Sequence, residues 1–365
     1  MRILCVVGTR PNFVKMAALY REMRTRQGFE PTLVHTGQHY DANMSRIFFE
    51  ELGLPEPDID LDVAGGSVIR QTCNIMQRLD AVLEERLPDV MVVVGDVNST
   101  LAASLTAMKT GVTLAHVEAG LRSGDRTMPE ELNRIVVDHL SDMLFVTEQS
   151  GMDNLRREGI DDERIFFVGN VMVDTLMDNI EKAKKSDILH RIELSPNSYA
   201  IATIHRPANS DDRDALGEIL GALCEISRDI PLLLPLHPRT RQRIEEFGLW
   251  TLIEEEKGFM VSDPLGYLDF LSVMAHARVV FTDSGGIQEE TTILGVPCIT
   301  MRNNTERPIT IESGTNKLAG THGADIIHAY RSLTTGNKKS YPHPPLWDGK
   351  AAGRILDILE KRIGT

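Results

Sequence analysis

Short apolar runs alternate with amphipathic stretches along the first half of the chain. The apolar runs predict buried strands and the amphipathic stretches predict helices. Predicted strands cover residues 2–8, 31–37, 89–95, 112–117, 143–147 and 164–170. Predicted helices cover residues 11–26, with Pro11 in the first turn, then stretches near 42–52 and 69–86, and stretches starting at about 98 and at Pro129. This alternation predicts a parallel sheet with helices on both faces, which is the α/β class.

The chain becomes more polar between residues 170 and 197, and the alternation begins again after that segment. Predicted strands then cover residues 198–205, 231–237, 258–262, 277–283 and 297–301. A chain of 365 residues is too long for one ordinary core, so we predict two α/β domains, at 1–172 and 173–347. Ligands of such sheets bind beyond the carboxyl ends of the strands, which makes a cleft between the domains the expected site.

Composition narrows the class of protein. Apolar residues make up 42% and charged residues 25%, as in ordinary globular proteins, and 39 basic against 53 acidic residues leave a net charge of −14. This balance argues against nucleic acid or an anionic membrane as a partner. The four cysteines lack metal-site spacing and suggest buried thiols in a reduced, cytoplasmic protein; they are Cys5, Cys73, Cys224 and Cys298. The first apolar run has six residues, which is too short for a signal peptide or a membrane span.

Polar side chains follow most of the predicted strands. The strand-end segments are GTRPNFVK (8–15), GDVNST (95–100), HVEAGLRSGDRTMPEELNR (116–134), HRPANSDD (205–212), HPR (237–239), TDSGGIQEE (282–290) and MRNNTERP (301–308). Each has an ordinary explanation by itself, such as a helix cap, a solvated charge, a surface ion pair or a structural histidine. Because all of them fall at the same edge of the two sheets, they predict instead a site for a diphosphate with proton transfer beside it.

The segment TDSGGIQEE leaves a buried strand through two glycines and starts a helix. Glycines at such a junction allow a tight turn and a close approach of a ligand to the backbone. The unpaired N–H groups and the dipole of the new helix suit a phosphate. Gly286 and Glu290 are four residues apart on one helix face, so the glutamate is placed to reach a sugar hydroxyl. A plain strand-to-helix turn with an acidic first turn is the simpler explanation.

Other chemistries lack their sequence signals. His116, Glu118 and Asp96 are conceivable metal ligands, but the chain has no HExxH motif and no cluster of cysteine and histidine. There is no GxSxG motif of a nucleophilic serine, and no GxGxxG motif follows the first strand. We therefore predict no metal and no cofactor.

The segments GTRPNFVKM, TGQHY, GDVNSTLAASL, HVEAGLRSGDRTMPEELNR, DSGGIQEE and MRNNTERP together resemble the non-hydrolysing UDP-N-acetylglucosamine 2-epimerases. The resemblance runs from residue 3 to about 320. It implies a glycosyltransferase-B type fold, with two Rossmann-like domains facing a cleft and a last helix, at about 348–365, that packs back on the first domain. It also implies a homodimer that inverts carbon 2 of a UDP-sugar, by eliminating UDP to leave a 2-acetamidoglucal and adding it back, for polysaccharide biosynthesis.

The resemblance assigns roles to individual residues. The catalytic residues would be Asp96, Glu118, Glu130 and His205. Glu130 is preferred to Glu131 because it directly follows the proline of the PEE motif, and which carboxylate removes the proton stays open. Substrate binding would fall to Arg10, Lys15, Arg206, His237, Phe270, Ser284, Gly285, Gly286, Glu290 and Arg302.

Two departures from the family pattern bear on regulation and substrate. Some bacterial members bind a second UDP-sugar as an activator. Gln38 and His39 match part of that site, but the pair Arg70-Gln71 falls about three residues late. The segments GTRPNF and DRTMPEELNRIVVDHLSD look closest to a branch that includes epimerases of UDP-2,3-diacetamido-2,3-dideoxyglucuronate. The alternatives are a hydrolysing 2-epimerase, a non-catalytic sensor of nucleotide sugars, and a glycosyltransferase on the same fold. The set of three carboxylates argues against a glycosyltransferase, which needs an acceptor site and no proton transfer at carbon 2.

Overall fold

Two compact units make up the protein in a computed structural model that describes residues 1–37, 49–63, 65–334 and 343–364. Unit 1 comprises Met1–Asp178 and Pro345–Thr365, and unit 2 comprises Asn179–Pro344. Each unit contains one parallel sheet whose strands alternate with helices, so the predicted α/β class is confirmed. Gln38, His39 and most of the helix predicted near 42–52 lie outside the described residues.

Unit 1 is built on a seven-stranded sheet in the order β3-β2-β1-β4-β5-β6-β7. Its strands are β1 (Arg2–Val7), β2 (Glu30–His35), β3 (Ile59–Asp60), β4 (Val90–Val94), β5 (Leu114–Ala119), β6 (Met143–Val146) and β7 (Ile165–Phe167). Its helices are α1 (Arg10–Thr25), α2 (Val68–Glu85), α3 (Asn98–Thr110), α4 (Pro129–Leu140), α5 (Gln149–Arg157) and α6 (Val171–Ala183), in which unit 1 ends. β4 is buried at every position, as expected for a central strand covered on both faces.

Unit 2 contains a six-stranded sheet in the order β10-β9-β8-β11-β12-β13. Its strands are β8 (Ala200–Thr203), β9 (Leu232–Pro235), β10 (Phe259–Ser262), β11 (Val279–Thr282), β12 (Cys298–Thr300) and β13 (Asn316–Leu318). Its helices are α7 (Ile188–Arg191), α8 (Pro207–Ser210), α9 (Arg213–Ser227), α10 (Pro238–Glu246), α11 (Trp250–Glu254), α12 (Tyr267–Ala275), α13 (Gly285–Leu294), α14 (Ile309–Glu312) and α15 (Gly323–Thr334).

The last helix, α16 (Ala351–Ile363), belongs to unit 1 and packs against α1. The carboxylate of Asp174 accepts the first backbone N–H groups of this helix, from Ala351 at 3.2 Å and Ala352 at 2.7 Å. The indole N–H of the buried Trp347 donates to the carbonyl of Thr147 at 2.9 Å. These bonds satisfy polar groups that burial would otherwise leave unpaired, so the C-terminal segment is part of the unit 1 core.

Three of the four cysteines are buried, as predicted, but Cys73 is exposed on α2. The helical repeat places Cys73 on the outward face of α2, away from the buried side chains of Ile75 and Leu79. No helix within the described ranges is long and apolar enough to cross a lipid bilayer.

Candidate active site

Each sheet reverses its strand order at one point, between β1 and β4 in unit 1 and between β8 and β11 in unit 2. Loops that leave the carboxyl ends of neighbouring strands diverge at such a point, which leaves a crevice for a ligand. The predicted site residues that follow these four strands are Arg10, Asp96, His205, Arg206, Ser284, Gly285 and Gly286. Sheet topology therefore places them at the edge where ligands of such folds bind.

Glu118 and Lys15 form a buried ion pair in unit 1, with Lys15 Nζ 2.7 Å from Glu118 Oε2. The two side chains are only 2% and 6% exposed. Glu118 has a left-handed backbone, with φ +74°, at a point where the register of β5 and β6 shifts. A glutamate rarely adopts this conformation, which costs about 1–3 kcal/mol and often marks a functional site. The bulge and the Lys15 ammonium together fix the Glu118 carboxylate at the end of β5.

Asp96 lies directly after the turn that ends β4. Arg134 Nη1 donates to its Oδ2 at 2.5 Å, and the side chain of Asn133 donates to its backbone carbonyl at 2.8 Å. The carboxylate of Asp96 is 20% exposed, whereas Arg134 is only 2% exposed. Arg134 and Asn133 of α4 thus fix the position of Asp96, while part of its carboxylate stays accessible to solvent.

Two adjacent glutamates, Glu130 and Glu131, lie in the first turn of α4, and their environments differ. Glu131 is buried and accepts N–H bonds from Ser123 and Gly124, both at 2.9 Å, and a bond from Arg134 at 2.7 Å. Burial alone would raise the pKa of Glu131, but these donors lower it. Glu131 therefore organises the loop before α4. Glu130 is half-buried, which leaves it the more accessible of the two carboxylates.

Arg10 is the first residue of α1 and is half-buried. The turn before it is held by Asn12, whose Oδ1 accepts the backbone N–H groups of Gly8 and Thr9 at 3.1 and 3.2 Å. The Nδ2 of Asn12 donates to the carbonyl of Val94 at 2.9 Å, which joins this turn to the end of β4. Asn12 therefore fixes the start of α1 relative to the loop that carries Asp96.

In unit 2, His205 is paired with the buried Asp283. The ring Nδ1 lies 2.6 Å from Asp283 Oδ1, and the imidazole is 44% exposed, so its other nitrogen is accessible. Asp283 also accepts the backbone N–H groups of His205 and Arg206 and the side chain of Asn209. Burial raises the pKa of Asp283, but the His205 ring and these backbone donors lower it to about 2. Asp283 thus orients the His205 ring.

Three arginines converge on Glu306 near the start of α13. Glu306 lies 3.0 Å from Arg206 Nη2, 2.7 Å from Arg302 Nη2 and 2.6 Å from Arg307 Nη1. Burial lowers the pKa of the Arg302 guanidinium; Glu306 opposes this shift, and the nearby positive charges of Arg206 and Arg307 add to it. Arg307 also pairs with Glu289 at 2.7 Å, which leaves three cations against two carboxylates.

The first residues of α13 lie against this arginine cluster (Arg206, Arg302 and Arg307). A Cβ on Gly285 would be 2.4 Å from Arg307 Nη1, so the cluster directly adjoins the helix start. Within the described chain, the Nη1 of Arg302 is buried without a hydrogen-bond acceptor. A helix N-terminus beside excess positive charge and an unsatisfied buried guanidinium is suited to a phosphate.

Glu290 lies one turn further along α13 and is 6% exposed. Burial raises the pKa of Glu290 to about 8, with the charge of Glu289 adding to the shift and a bond from the Tyr267 hydroxyl opposing it. Phe270 is half-buried on α12, three residues after Tyr267 and on the same helix face. His237 is exposed at the start of α10, where its Nδ1 accepts the N–H of Arg239 at 3.3 Å.

Several residues of these clusters were not predicted as site residues from the sequence. They are Asn12, Glu131, Arg134, Asp283, Glu306 and Arg307. All but Asn12 are charged, and all are at least nine-tenths buried. Charged residues are almost never buried unless they are paired, but a sequence does not reveal which charges are buried. All six residues lie within segments already singled out in the sequence, namely NFVK, PEELNR, TDS and TERP. The motifs therefore located these residues but did not predict their contacts.

Comparison with known proteins identifies the family. A family model described as UDP-N-acetylglucosamine 2-epimerase matches residues 21–360. A UDP-N-acetylglucosamine 2-epimerase of Methanocaldococcus jannaschii is 40% identical over 98% of this chain and 99% of its own. A UDP-2,3-diacetamido-2,3-dideoxy-D-glucuronate 2-epimerase of Pseudomonas aeruginosa is also 40% identical, over 99% of this chain and all of its own.

A solved structure of Methanocaldococcus jannaschii UDP-GlcNAc 2-epimerase in complex with UDP-GlcNAc and UDP superposes with a TM-score of 0.93 at 39% identity, covering 99% of this chain and all of that one. The resemblance found in the sequence is thereby confirmed. The chain belongs to the UDP-N-acetylglucosamine 2-epimerase family and is an epimerase, that is, an isomerase.

Proposed function

We propose that this protein interconverts UDP-N-acetylglucosamine and UDP-N-acetylmannosamine without hydrolysing the sugar–phosphate bond to water. The observation that carries the proposal is the strained Glu118, which forms a buried ion pair with Lys15 at the end of β5, the strand next to the one that leads to Asp96. An ionised carboxylate in this place is what removal of a weakly acidic carbon-bound proton requires.

In the proposed reaction a carboxylate of unit 1 removes the proton from carbon 2. The electron pair forms the carbon 1–carbon 2 double bond as the bond from carbon 1 to oxygen breaks, and UDP leaves with that bonding pair. Re-addition reverses these steps, and a second acid delivers a proton to the opposite face of carbon 2. Asp96, Glu118 and Glu130 are the three candidates for these transfers. No electrons are gained or lost overall.

Unit 2 is proposed to bind the UDP. The backbone N–H groups at Ser284, Gly285 and Gly286, together with the arginine cluster, stabilise the charge that grows on the leaving diphosphate. His205, oriented by Asp283, contacts the same group. Glu290 contacts the ribose hydroxyls. We place the uracil beside Phe270, with His237 lining the site, and Arg10 is a further candidate for a phosphate contact.

A second candidate substrate is UDP-2,3-diacetamido-2,3-dideoxyglucuronate. The Pseudomonas aeruginosa relative named for that substrate and the Methanocaldococcus jannaschii relative are both 40% identical to this chain. Sequence identity therefore supports both substrates equally. A hydrolysing epimerase, which releases UDP and a free sugar, is a third candidate. The three reactions differ in which sugar exchanges its carbon 2 proton and in whether UDP accumulates.

The test is proton NMR of the purified protein with each UDP-sugar in deuterium oxide. We expect deuterium at carbon 2 of UDP-N-acetylglucosamine and a mixture of two UDP-sugars at equilibrium. Exchange only with the diacetamido uronate would assign that substrate instead. Stoichiometric free UDP would establish hydrolysis, and silence with both sugars would refute an epimerase acting on either.

We also propose that the protein is a cytoplasmic homodimer. Four free cysteines favour a reducing compartment. α2 and α4 both pack against α3, and they expose apolar side chains that a soluble monomer would not usually present: Val68, Ile69, Leu132 and Val136. Sedimentation velocity should therefore give twice the mass of one chain, and Ile69→Glu with Val136→Glu should give the mass of one chain with the fold intact.

A further inference from the structure

A second layer of charged residues lies behind the unit 1 carboxylates. His116, on β5, is fully buried, with its Nδ1 2.7 Å from Asp138 Oδ1 and its Nε2 2.9 Å from the carbonyl oxygen of Gly95. Both partners are hydrogen-bond acceptors in this arrangement. The His116 ring therefore joins the carboxylate of Asp138 to the peptide that precedes Asp96.

The other carboxylate oxygen of Asp138, on α4, contacts the residues that directly follow β5. Asp138 Oδ2 accepts the backbone N–H of Gly120 at 3.0 Å and lies 2.7 Å from Arg122 Nη1. Arg122 is in turn held by Glu158, with Nη2 2.7 Å from Oε2. Burial raises the pKa of Asp138, but His116 and Arg122 lower it, so the buried carboxylate stays ionised.

The residues that this network holds flank two of the proposed catalytic carboxylates. Gly95 directly precedes Asp96, and its N–H also donates to the carbonyl of Val117 at 3.1 Å. His116 and Gly120 lie on either side of Glu118, whose backbone is in the left-handed region. One carboxylate, Asp138, is therefore bonded to the ring of His116 before Glu118, to the peptide N–H of Gly120 after it and, through His116, to the peptide before Asp96.

We propose that His116 and Asp138 form a positioning pair that sets the separation of Asp96 and Glu118 for proton transfer at carbon 2. Neither residue has to touch the sugar in this role, and the inference rests on the proposed function. Proton transfer depends steeply on geometry, and a misplacement of about 1 Å costs about 100-fold in rate. Loss of the pair releases the Gly95 carbonyl and the Gly120 N–H, so both carboxylates move.

The test compares Asp138→Asn with a matched control, Asp142→Asn. Asp142 also accepts a backbone N–H of β5, from Leu114 at 2.8 Å, but at the opposite end of that strand. We expect both variants to melt at lower temperature. Only Asp138→Asn should lower kcat and carbon 2 deuterium exchange together, by about 100-fold, while KM and the Kd for UDP change less than about twofold.

Side-chain nitrogen NMR of protein labelled in histidine gives an independent readout. We expect the ring nitrogens of His116 to report hydrogen bonds to both partners in the wild type, and the Nδ1 bond to weaken in Asp138→Asn. A kcat for Asp138→Asn equal to that of Asp142→Asn would overturn the positioning role, as would the absence of a hydrogen bond between His116 Nδ1 and Asp138 in the wild type. A wild type that exchanges no carbon 2 proton of either UDP-sugar would refute the proposed function first, and the positioning role with it.

Discussion

Substitution of Gly285 by alanine tests whether the start of α13 is shaped for a phosphate. The backbone of Gly285 is helical, and alanine in an ordinary helix is more stable than glycine by about 1 kcal/mol. Here an added Cβ would lie 2.4 Å from Arg307 Nη1 and 2.7 Å from Glu306 Oε1. These contacts are about 1 Å shorter than normal van der Waals separation. Arg307 cannot swing away freely, because Glu306 and Glu289 hold it at 2.6 and 2.7 Å.

The expected cost follows from these contacts. Breaking a buried ion pair costs about 3–5 kcal/mol, and the helix propensity of alanine returns about 1 kcal/mol, so Gly285→Ala should destabilise unit 2 by about 2–4 kcal/mol. The displaced guanidinium and the blocked backbone approach should remove about one charged hydrogen bond to UDP. That loss is worth about 1.5–3 kcal/mol, or about 10- to 100-fold in Kd.

Urea unfolding and calorimetric titration with UDP measure the two effects. The control is Gly221→Ala in α9, where an added Cβ meets nothing within 4 Å. This control should gain up to about 1 kcal/mol and bind UDP as the wild type does. If Gly285→Ala behaves like Gly221→Ala, with unchanged UDP affinity and higher stability, the assignment of the phosphate to this helix start is wrong.

Three further predictions concern Glu118, Lys15 and Glu290. Glu118→Gln should lower carbon 2 deuterium exchange by about 10²- to 10⁴-fold, with the calorimetric Kd for UDP unchanged; an active variant would exclude Glu118 as acid or base. Lys15→Met should cost about 3–5 kcal/mol in urea unfolding, because it removes the ammonium that neutralises a buried carboxylate, and Lys15→Met with Glu118→Gln should recover most of that loss. Because burial raises the pKa of Glu290 from 4.5 to about 8, its contribution to stability is complete below the unfolded pKa and is lost as the pH rises to about 8. Glu290→Gln should therefore gain stability relative to the wild type, by a few kcal/mol, over that range; a difference independent of pH would show that Glu290 is ionised in the folded protein.

The element predictions succeeded where the physical signal was local. The run MVVV of β4 is apolar at every position because both faces of a central parallel strand are covered, and the sequence prediction at 89–95 contains the observed Val90–Val94. Pro129 begins α4 as predicted, since proline fits the first helical turn, where its missing N–H leaves no bond unmade. The exposed Cys73 was predicted wrongly, because a thiol in a helix has no fixed side until the packing of that helix is known.

The site was predicted as a set of loops and not as a set of contacts. The order of strands along a chain does not state the order of strands in the sheet, and that order brings β1 beside β4 and β8 beside β11. Arg134 and Asp96 are 38 residues apart in sequence, and their 2.5 Å contact depends on the packing of α4 against the end of β4. Asp283 precedes the predicted Ser284 by one residue. Only the structure shows that Asp283 is fully buried and that its carboxylate contacts the His205 ring at 2.6 Å.

The sequence by itself determined the α/β class, the two sheets, the family, and the loops that carry the chemistry, because periodicity and motif residues are properties of neighbouring positions. Only the tertiary structure decided which charges are buried and with which partners: Lys15 with Glu118, His116 with Asp138, and Glu306 with its arginines. A buried charge is stable only beside its partner, and these partners lie on different elements of the sheet and its helices. Their pairing therefore emerges when the strands and helices pack.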